Sequence, residues 1–162
     1  MKIPGFFGDS RMKAKERDAL LNLIPQDGAF IEVGTFHGTT VAYWAKQRPD
    51  VHFISIDPFV GKASVSLWKK NQQPNQNLWV GTLATLRIPR FSEYLFFIDG
   101  DHNRDSVLSD LDQALLTARE IWVHDYTNKR LPGVREAIEH FVGTSAWIID
   151  QVVETTAILK RR

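Results

Sequence analysis

With 162 residues, 43% of them hydrophobic and 24% charged, the chain has ordinary globular composition and a length that suits one domain with one sizeable core. Twenty Lys and Arg against nineteen Asp and Glu leave a net charge of +1, so no overall field draws the protein onto nucleic acid or an anionic membrane, and a small-molecule partner is expected. The lack of cysteine excludes disulfides, thiolate zinc sites and a cysteine nucleophile, and no apolar run reaches signal-peptide or bilayer-spanning length, which predicts a soluble, cytoplasmic protein.

Taken in chain order, the elements alternate. "RMKAKERDALLNLI" has helical apolar spacing and stops before Pro25, "AFIEV" reads as a short buried strand, and a helix follows from about Thr39 to Lys46. "VHFISID" is the second strand, trailed by a helix near Ala63 to Lys70, a strand "NLWV", a short helix beginning near Thr82 and the strongly apolar strand "YLFFID". "RDSVLSDLDQALLTA" then places Val107, Leu108, Leu111, Ala114 and Leu115 on one helical face. After the strand "EIWVHD", Pro132 opens a helix with Val134, Ala137, Ile138 and Phe141 at helical spacing. "AWIID" and "TTAILK" are too closely joined for a parallel crossover and predict an antiparallel hairpin. The expected fold is α/β: a doubly wound, Rossmann-like sheet of about seven strands, mostly parallel, with an antiparallel hairpin and one reversed strand at the edge, and helices on both faces. The expected organisation is one domain over 1–162, with a helical segment over 1–28 and the core over 29–162.

Ligands of such sheets bind outside the carboxyl ends of the strands, which is where "FIEVGTFHGTT" runs from the first strand into the first helix. Gly34 and Gly38 let the backbone approach a ligand, while Glu32 aims a carboxylate at the same place. An acid there disfavours phosphate, and the spacing is not G-x-G-x-x-G, so a ligand with a cationic part fits better. Asp57, ending "FISID", stands where acids accept hydrogen bonds from ribose hydroxyls. Ribose plus a cationic group without phosphate describes S-adenosylmethionine.

"IEVGTFHGTTVAYWA", "ISIDPF", "VGTLATL", "FFIDGDH" and "VHDY" in that order resemble the motifs of class I S-adenosylmethionine-dependent methyltransferases, especially the small-molecule O-methyltransferases and their sugar-modifying relatives, from about Ala29 to the C-terminus. The resemblance implies that Glu32, Gly34, Thr35, Phe36 and Gly38 hold the methionine part, with Asp99 nearby, and that Asp57 holds the ribose. It implies that Pro58 and Phe59 flank the adenosine and that Gly81 and Thr82 meet the adenine edge. Asp99 and Asp125 resemble the two metal-ligating aspartates of the magnesium-dependent members, with Asp101 in reserve, and His102 stands where the sugar O-methyltransferases carry a general base. A neutral imidazole suits that task near neutral pH, and a divalent ion, magnesium or manganese, would lower the acceptor hydroxyl's pKa.

Two positions depart from those relatives. His124 replaces a magnesium-ligating glutamate of the sugar type, and Tyr126 replaces an asparagine of the catechol type. Imidazole suits manganese, iron or zinc better than magnesium, so either the metal is a different one, with Asp99, His124 and Asp125 as the expected set, or His124 has another role, or no metal binds. The expected acceptor is a small molecule or sugar hydroxyl, at an open site that a second copy of the chain would complete if the protein is a homo-oligomer. The competing readings are a non-catalytic nucleoside-binding module, a nicotinamide-dependent oxidoreductase, which lacks its glycine pattern here, and last a hydrolytic metal site. Of the remaining candidates, His37 contributes chiefly its backbone, and His52 and His140 are structural or exposed. Trp44, Trp79, Trp122 and Trp147 are packing residues, Trp68 lies in a helix near the pocket, and the basic "MKAKER" and "KRR" are solvated ends.

Overall fold

A computed structural model describes residues 2–87 and 94–162. Helix α1 (Ala14–Leu21) precedes strand β1 (Ala29–Val33), α2 (Thr39–Gln47), β2 (His52–Asp57), α3 (Val65–Asn71), β3 (Gln76–Val80), a single 3-10 turn (Leu83–Thr85) and β4 (Tyr94–Ile98). Then follow α4 (Arg104–Ala114), β5 (Ala118–Val123), α5 (Pro132–Thr144), β6 (Trp147–Val153) and β7 (Thr156–Arg161). All the expected elements are present. Their ends are set by local chemistry: Ser64 caps α3 by accepting from the Leu67 amide, Asn103 caps α4 by accepting from the Ser106 amide, and Pro132 opens α5.

The strands form one seven-stranded sheet in the order β3-β2-β1-β4-β5-β7-β6. The pairs from β3 to β5 are parallel, and β7 runs antiparallel to both β5 and β6. The predicted hairpin is therefore there, but the reversed strand is not at the edge. β7 is inserted between β5 and β6, because its Ala157, Ile158 and Leu159 are fully buried and want a sheet neighbour on each side. The amphipathic β6, with Asp150, Gln151 and Val152 exposed, takes the edge.

Alternation along the central strands builds a core on each face, which explains their continuous apolar runs. Phe96 and Ile98 of β4 point, with Ile31, Ile56 and Ile121, into a cluster closed by α4 and α5. Leu95 and Phe97 point the other way, with Phe30, Phe53, Trp122 and Ile158, against Leu20 of α1 and Trp44 of α2. Phe30 is the hub of the second cluster, its ring lying 5.1 Å from Phe53, 5.6 Å from Trp44, 5.9 Å from Trp122 and 6.3 Å from Phe97. Trp44, Trp68, Trp122 and Trp147 are buried, whereas Trp79, expected to pack, is 39% exposed because β3 is an edge strand with a sheet neighbour on one flank.

The "MKAKER" stretch is not simply a solvated end. Glu16 and Arg17 are buried, Arg17 stacking its guanidinium 4.2 Å over the Tyr43 ring while its carbonyl accepts from Trp44 Nε1. No helix among the described residues is long and apolar enough to cross a membrane. Phe30→Ala should cost about 3–5 kcal/mol of stability, the usual effect of deleting a buried aromatic hub, read as a lower midpoint with an unchanged slope in urea unfolding.

Candidate functional site

The carboxyl ends of β1 to β5 open into a cleft of about 1140 Å³. Its floor depends on a close crossing between the β1 and β4 exits. Gly34 has φ +90°, and a Cβ there would lie 2.2 Å from the Asp99 carbonyl oxygen and 2.5 Å from Gly100 Cα, so only glycine fits. The crossing is tied by Asp99 N donating to Val33 O at 2.8 Å, while Gly34 N donates to Ile56 O of β2 at 2.8 Å. Gly38, φ +71°, starts α2 and lies so close over Trp68 that a Cβ would meet its ring at 2.5 Å. Trp68 thus underlies the glycine turn rather than facing the cleft.

Asp57 organises the neighbouring loops. One carboxylate oxygen accepts from the Phe36 amide at 2.8 Å and the other from the Phe59 amide at 2.5 Å. Each oxygen can accept a further hydrogen bond. Gly34, Phe36, Asp57, Pro58, Gly81 and Thr82 all line the cleft, as does Val60. Phe59 does not, since the bond to Asp57 and a φ of +54° turn its backbone away and leave Val60 at the wall. Glu32, Thr35 and Gly38 lie behind the wall, all three buried. Glu32 accepts from Ser55 Oγ at 2.8 Å, and burial pushes its carboxyl up to about 8, with Asp99 and Asp57 adding to the shift against the pull of its hydrogen bonds. Without a cation beside it, Glu32 is largely protonated at neutral pH. His37 acts through its ring as well as its backbone: Nδ1 accepts from the Asp9 amide and Nε2 faces Lys62 O at 3.2 Å, joining the N-terminal loop to the approach to α3.

At the β4 and β5 exits, Asp99, His102 and Asp125 bring one ligand-type atom each within 4.8 Å of one another. His102 Nε2 lies 3.3 Å from Asp125 Oδ2 and 3.6 Å from Asp99 Oδ1, yet is aligned with neither for a hydrogen bond and is sealed from solvent. The Asp125 carboxylate, then Asp99, pushes the imidazole up to about 9 against its burial, so the ring is charged at neutral pH. The neutral ring expected from the sequence requires something positive between the two carboxylates. A buried, unpartnered imidazole nitrogen facing two carboxylates is a donor set that fits a divalent ion of the manganese, iron or zinc kind.

His124 lies one layer deeper, 7% exposed at its side chain, with Nδ1 3.1 Å from Asp99 Oδ1 and 3.3 Å from Asp125 Oδ2, and Nε2 3.5 Å from Glu16 Oε2. Burial opposes its charge, but Asp99, Asp125 and Glu16 outweigh this and hold its pKa well above the usual imidazole range. Both aspartates are correspondingly held low despite burial. The carboxylates thus favour the charged form of the His124 ring, which lies beneath them, and the trio that converges on the cleft is Asp99, His102 and Asp125, with His124, expected in the metal set, outside it. Asp101 also lines the cleft, its carboxylate capping the Asn103 amide and accepting from Ser106 Oγ.

Three sets of residues were missed in the sequence. Arg11 lines the cleft with its guanidinium 5.2 Å over the Phe36 ring. Asp105, Ser106, Ser109 and Asp110 line it from α4, and burial, aided by Asp101, pushes Asp110 up to about 6. Their i, i+1, i+4, i+5 spacing is a second stripe on a helix whose apolar stripe is the more legible one. Glu16 had no signal beyond an acid among lysines.

No family model matches the chain, and no curated protein matches it. Solved structures do. A protein from Staphylococcus aureus assigned as a caffeoyl-CoA O-methyltransferase superposes with TM-score 0.74 at 13% identity, over 94% of this chain and 86% of that one. A protein from Pyrococcus horikoshii assigned as an RNA methyltransferase gives 0.71 at 13% identity, over 99% and 94%. Human N-acetylserotonin methyltransferase in complex with S-adenosylmethionine gives 0.64 at 12% identity, over 91% of this chain and 51% of that one. At these identities the likeness is one of fold: this chain has the Rossmann-like α/β fold seen in these methyltransferase structures.

Proposed function

We propose that the protein is an S-adenosylmethionine-dependent methyltransferase that methylates a hydroxyl of a small molecule or sugar. The observation that carries this reading is the arrangement of the cleft. The glycine turn after β1 and the acid after β2 stand on the same edge as His102, flanked by Asp99 and Asp125. Gly34 and Phe36 would border the methionine part, Glu32 would supply negative charge from behind the turn, Asp57 would accept from the ribose hydroxyls, and Pro58, Gly81 and Thr82 would border the base. Val60 takes over the apolar contact that the sequence assigns to Phe59.

Methyl transfer from a sulfonium is an in-line displacement: the acceptor oxygen attacks the methyl carbon as the carbon–sulfur bond breaks, and the oxygen's proton must leave. His102 would take that proton from a state in which its ring is neutral and Nε2 is released from between Asp99 and Asp125, as binding of a cation by the two aspartates would allow. A divalent ion, when bound by Asp99 and Asp125, would acidify the hydroxyl. The polar stripe of α4, with its carboxylates and serine hydroxyls facing the cleft, supports a hydroxylated acceptor. The same wall is the reason an RNA acceptor is not favoured: Asp101, Asp105 and Asp110 would repel phosphates, and the cleft is lined by a single arginine among the described residues.

Calorimetric titration with S-adenosylmethionine should give micromolar binding and NAD none; the reverse would replace this reading with the oxidoreductase. Because a cationic ligand favours ionised Glu32, binding should expel a proton and affinity should rise with pH until about 8 is passed, a dependence that Glu32→Gln abolishes. Affinity flat from pH 6 to 9 in the wild type would remove Glu32 from the site. His102→Ala should lower kcat roughly 10²–10⁴-fold while leaving cofactor affinity nearly unchanged. Unaltered turnover would assign the proton to another group.

A further inference from the structure

A buried charged cluster ties the N-terminal helix to the site. Glu16 of α1 is 1% exposed, and its two carboxylate oxygens have separate duties. Oε1 accepts three hydrogen bonds from the turn between β6 and β7 and the start of β7: from Thr155 N at 2.9 Å, Thr155 Oγ1 at 2.8 Å and Thr156 Oγ1 at 2.8 Å. Oε2 is left for His124 Nε2 at 3.5 Å. The opposite ring nitrogen, Nδ1, points between Asp99 and Asp125 at 3.1 and 3.3 Å. His124 has little freedom to choose another orientation, since its own amide is fixed to Ile98 O and its ring packs edge-on against Phe97 at 6.2 Å.

The next link is strained. Asp125 has φ +62°, a left-handed conformation that costs a non-glycine residue about 1–2 kcal/mol, and it follows His124 directly. Asn128 Nδ2 donates to its Oδ1 at 2.9 Å and Tyr126 N donates to Thr155 O at 2.8 Å, so the turn that anchors Glu16 also anchors the loop carrying Asp125. Glu16, Thr155, His124, Asp125 and Asp99 thus close a loop of contacts running from the N-terminal helix to the cleft.

We propose that Glu16 is a positioning residue for the Asp99/Asp125 pair, acting through the His124 ring. The inference rests on the proposed function only for what the pair is used for; the coupling itself is a statement about contacts. Glu16 reaches nothing in the cleft. It fixes the face of His124 that meets the two aspartates, and so fixes the spacing at which they meet whatever binds between them. Outer contacts of this kind commonly change metal affinity or activity by about 10–100-fold when removed.

Glu16→Gln is the discriminating variant. The glutamine carbonyl can keep all three hydrogen bonds from Thr155 and Thr156, but its amide then sets a donor against the His124 Nε2–H, so that contact must be lost or reversed. The measurement is the side-chain carboxyl carbon resonances of Asp99 and Asp125 by NMR, with the His124 ring nitrogens observed in the same samples. Both aspartate resonances should move in Glu16→Gln. Thr156→Val removes one anchor of Glu16 without touching its contact with His124, and should lower Tm while leaving those resonances in place.

Aspartate resonances unmoved by Glu16→Gln, or moved equally by Thr156→Val, would overturn the proposal by reducing Glu16 to a structural anchor. Should Glu16→Gln fail to fold, the wild-type ring decides: nuclear Overhauser contacts that place Nε2 of His124 toward Glu16 and Nδ1 toward Asp99 and Asp125 support the coupling, and a flipped or averaging ring overturns it. Titration with S-adenosylmethionine on the wild-type sample judges the proposed function separately, since absence of binding there leaves the spectra, and the role they assign to Glu16, unchanged.

Discussion

The contact on which the rest of the site depends is the crossing of the β1 and β4 exits, where the Gly34 Cα sits against the Asp99 carbonyl with no room for a side chain. Because β1 and β4 are paired in register, Val33 opposite Ile98, the two loops leave the sheet at the same height. That brings the glycine turn and Asp99 together without any long side chain reaching across. Asp57, one strand over, then ties both of its flanking loops to the same height through the Phe36 and Phe59 amides. The cleft is consequently backbone-built, and its shape is inherited from the sheet.

Strain collects on the same edge. Of the four non-glycine residues with positive φ among those described, Phe36, Phe59 and Asp125 lie in loops leaving β1, β2 and β5 at their carboxyl ends. Each is held there by bonds formed elsewhere in the fold: Asp57 for the two phenylalanines, Asn128 and the His124 contacts for Asp125. The stability that supports these conformations comes from the two apolar layers below, which are dense with aromatic rings on one side and helix-closed on the other.

How much could be read from the chain follows from how local each signal is. "AFIEV" and "YLFFID" announced strands buried on both faces, and Val107, Leu111 and Ala114 announced the inner face of α4, because each pattern is complete within a few residues. The glycine turn, Asp57 and the aspartates were legible for the same reason. The place of β7 was not, since choosing between it and β6 for the inner position compares two strands against a third that ends some thirty residues earlier. Glu16 was illegible for a stronger reason: its hydrogen-bond partners lie 139 and 140 residues away, and its sequence neighbours Lys13 and Lys15 are exposed. The charge on His102 belongs to this class too, being set by Asp125 and Asp99 in space rather than by the residues around it.

Helix α4 carries two independent surfaces. Its apolar stripe closes the core against β4 and α5, while Asp105, Ser106, Ser109 and Asp110 border the cleft and bear little of the packing. The α4 wall of the cleft can therefore be rewritten one residue at a time at little cost to folding, whereas the crossing at Gly34 tolerates no side chain. A lineage of such proteins would be expected to diversify along α4 while its turn after β1 stood still, so that the cleft changes its lining through substitutions on a helix already paid for by the core.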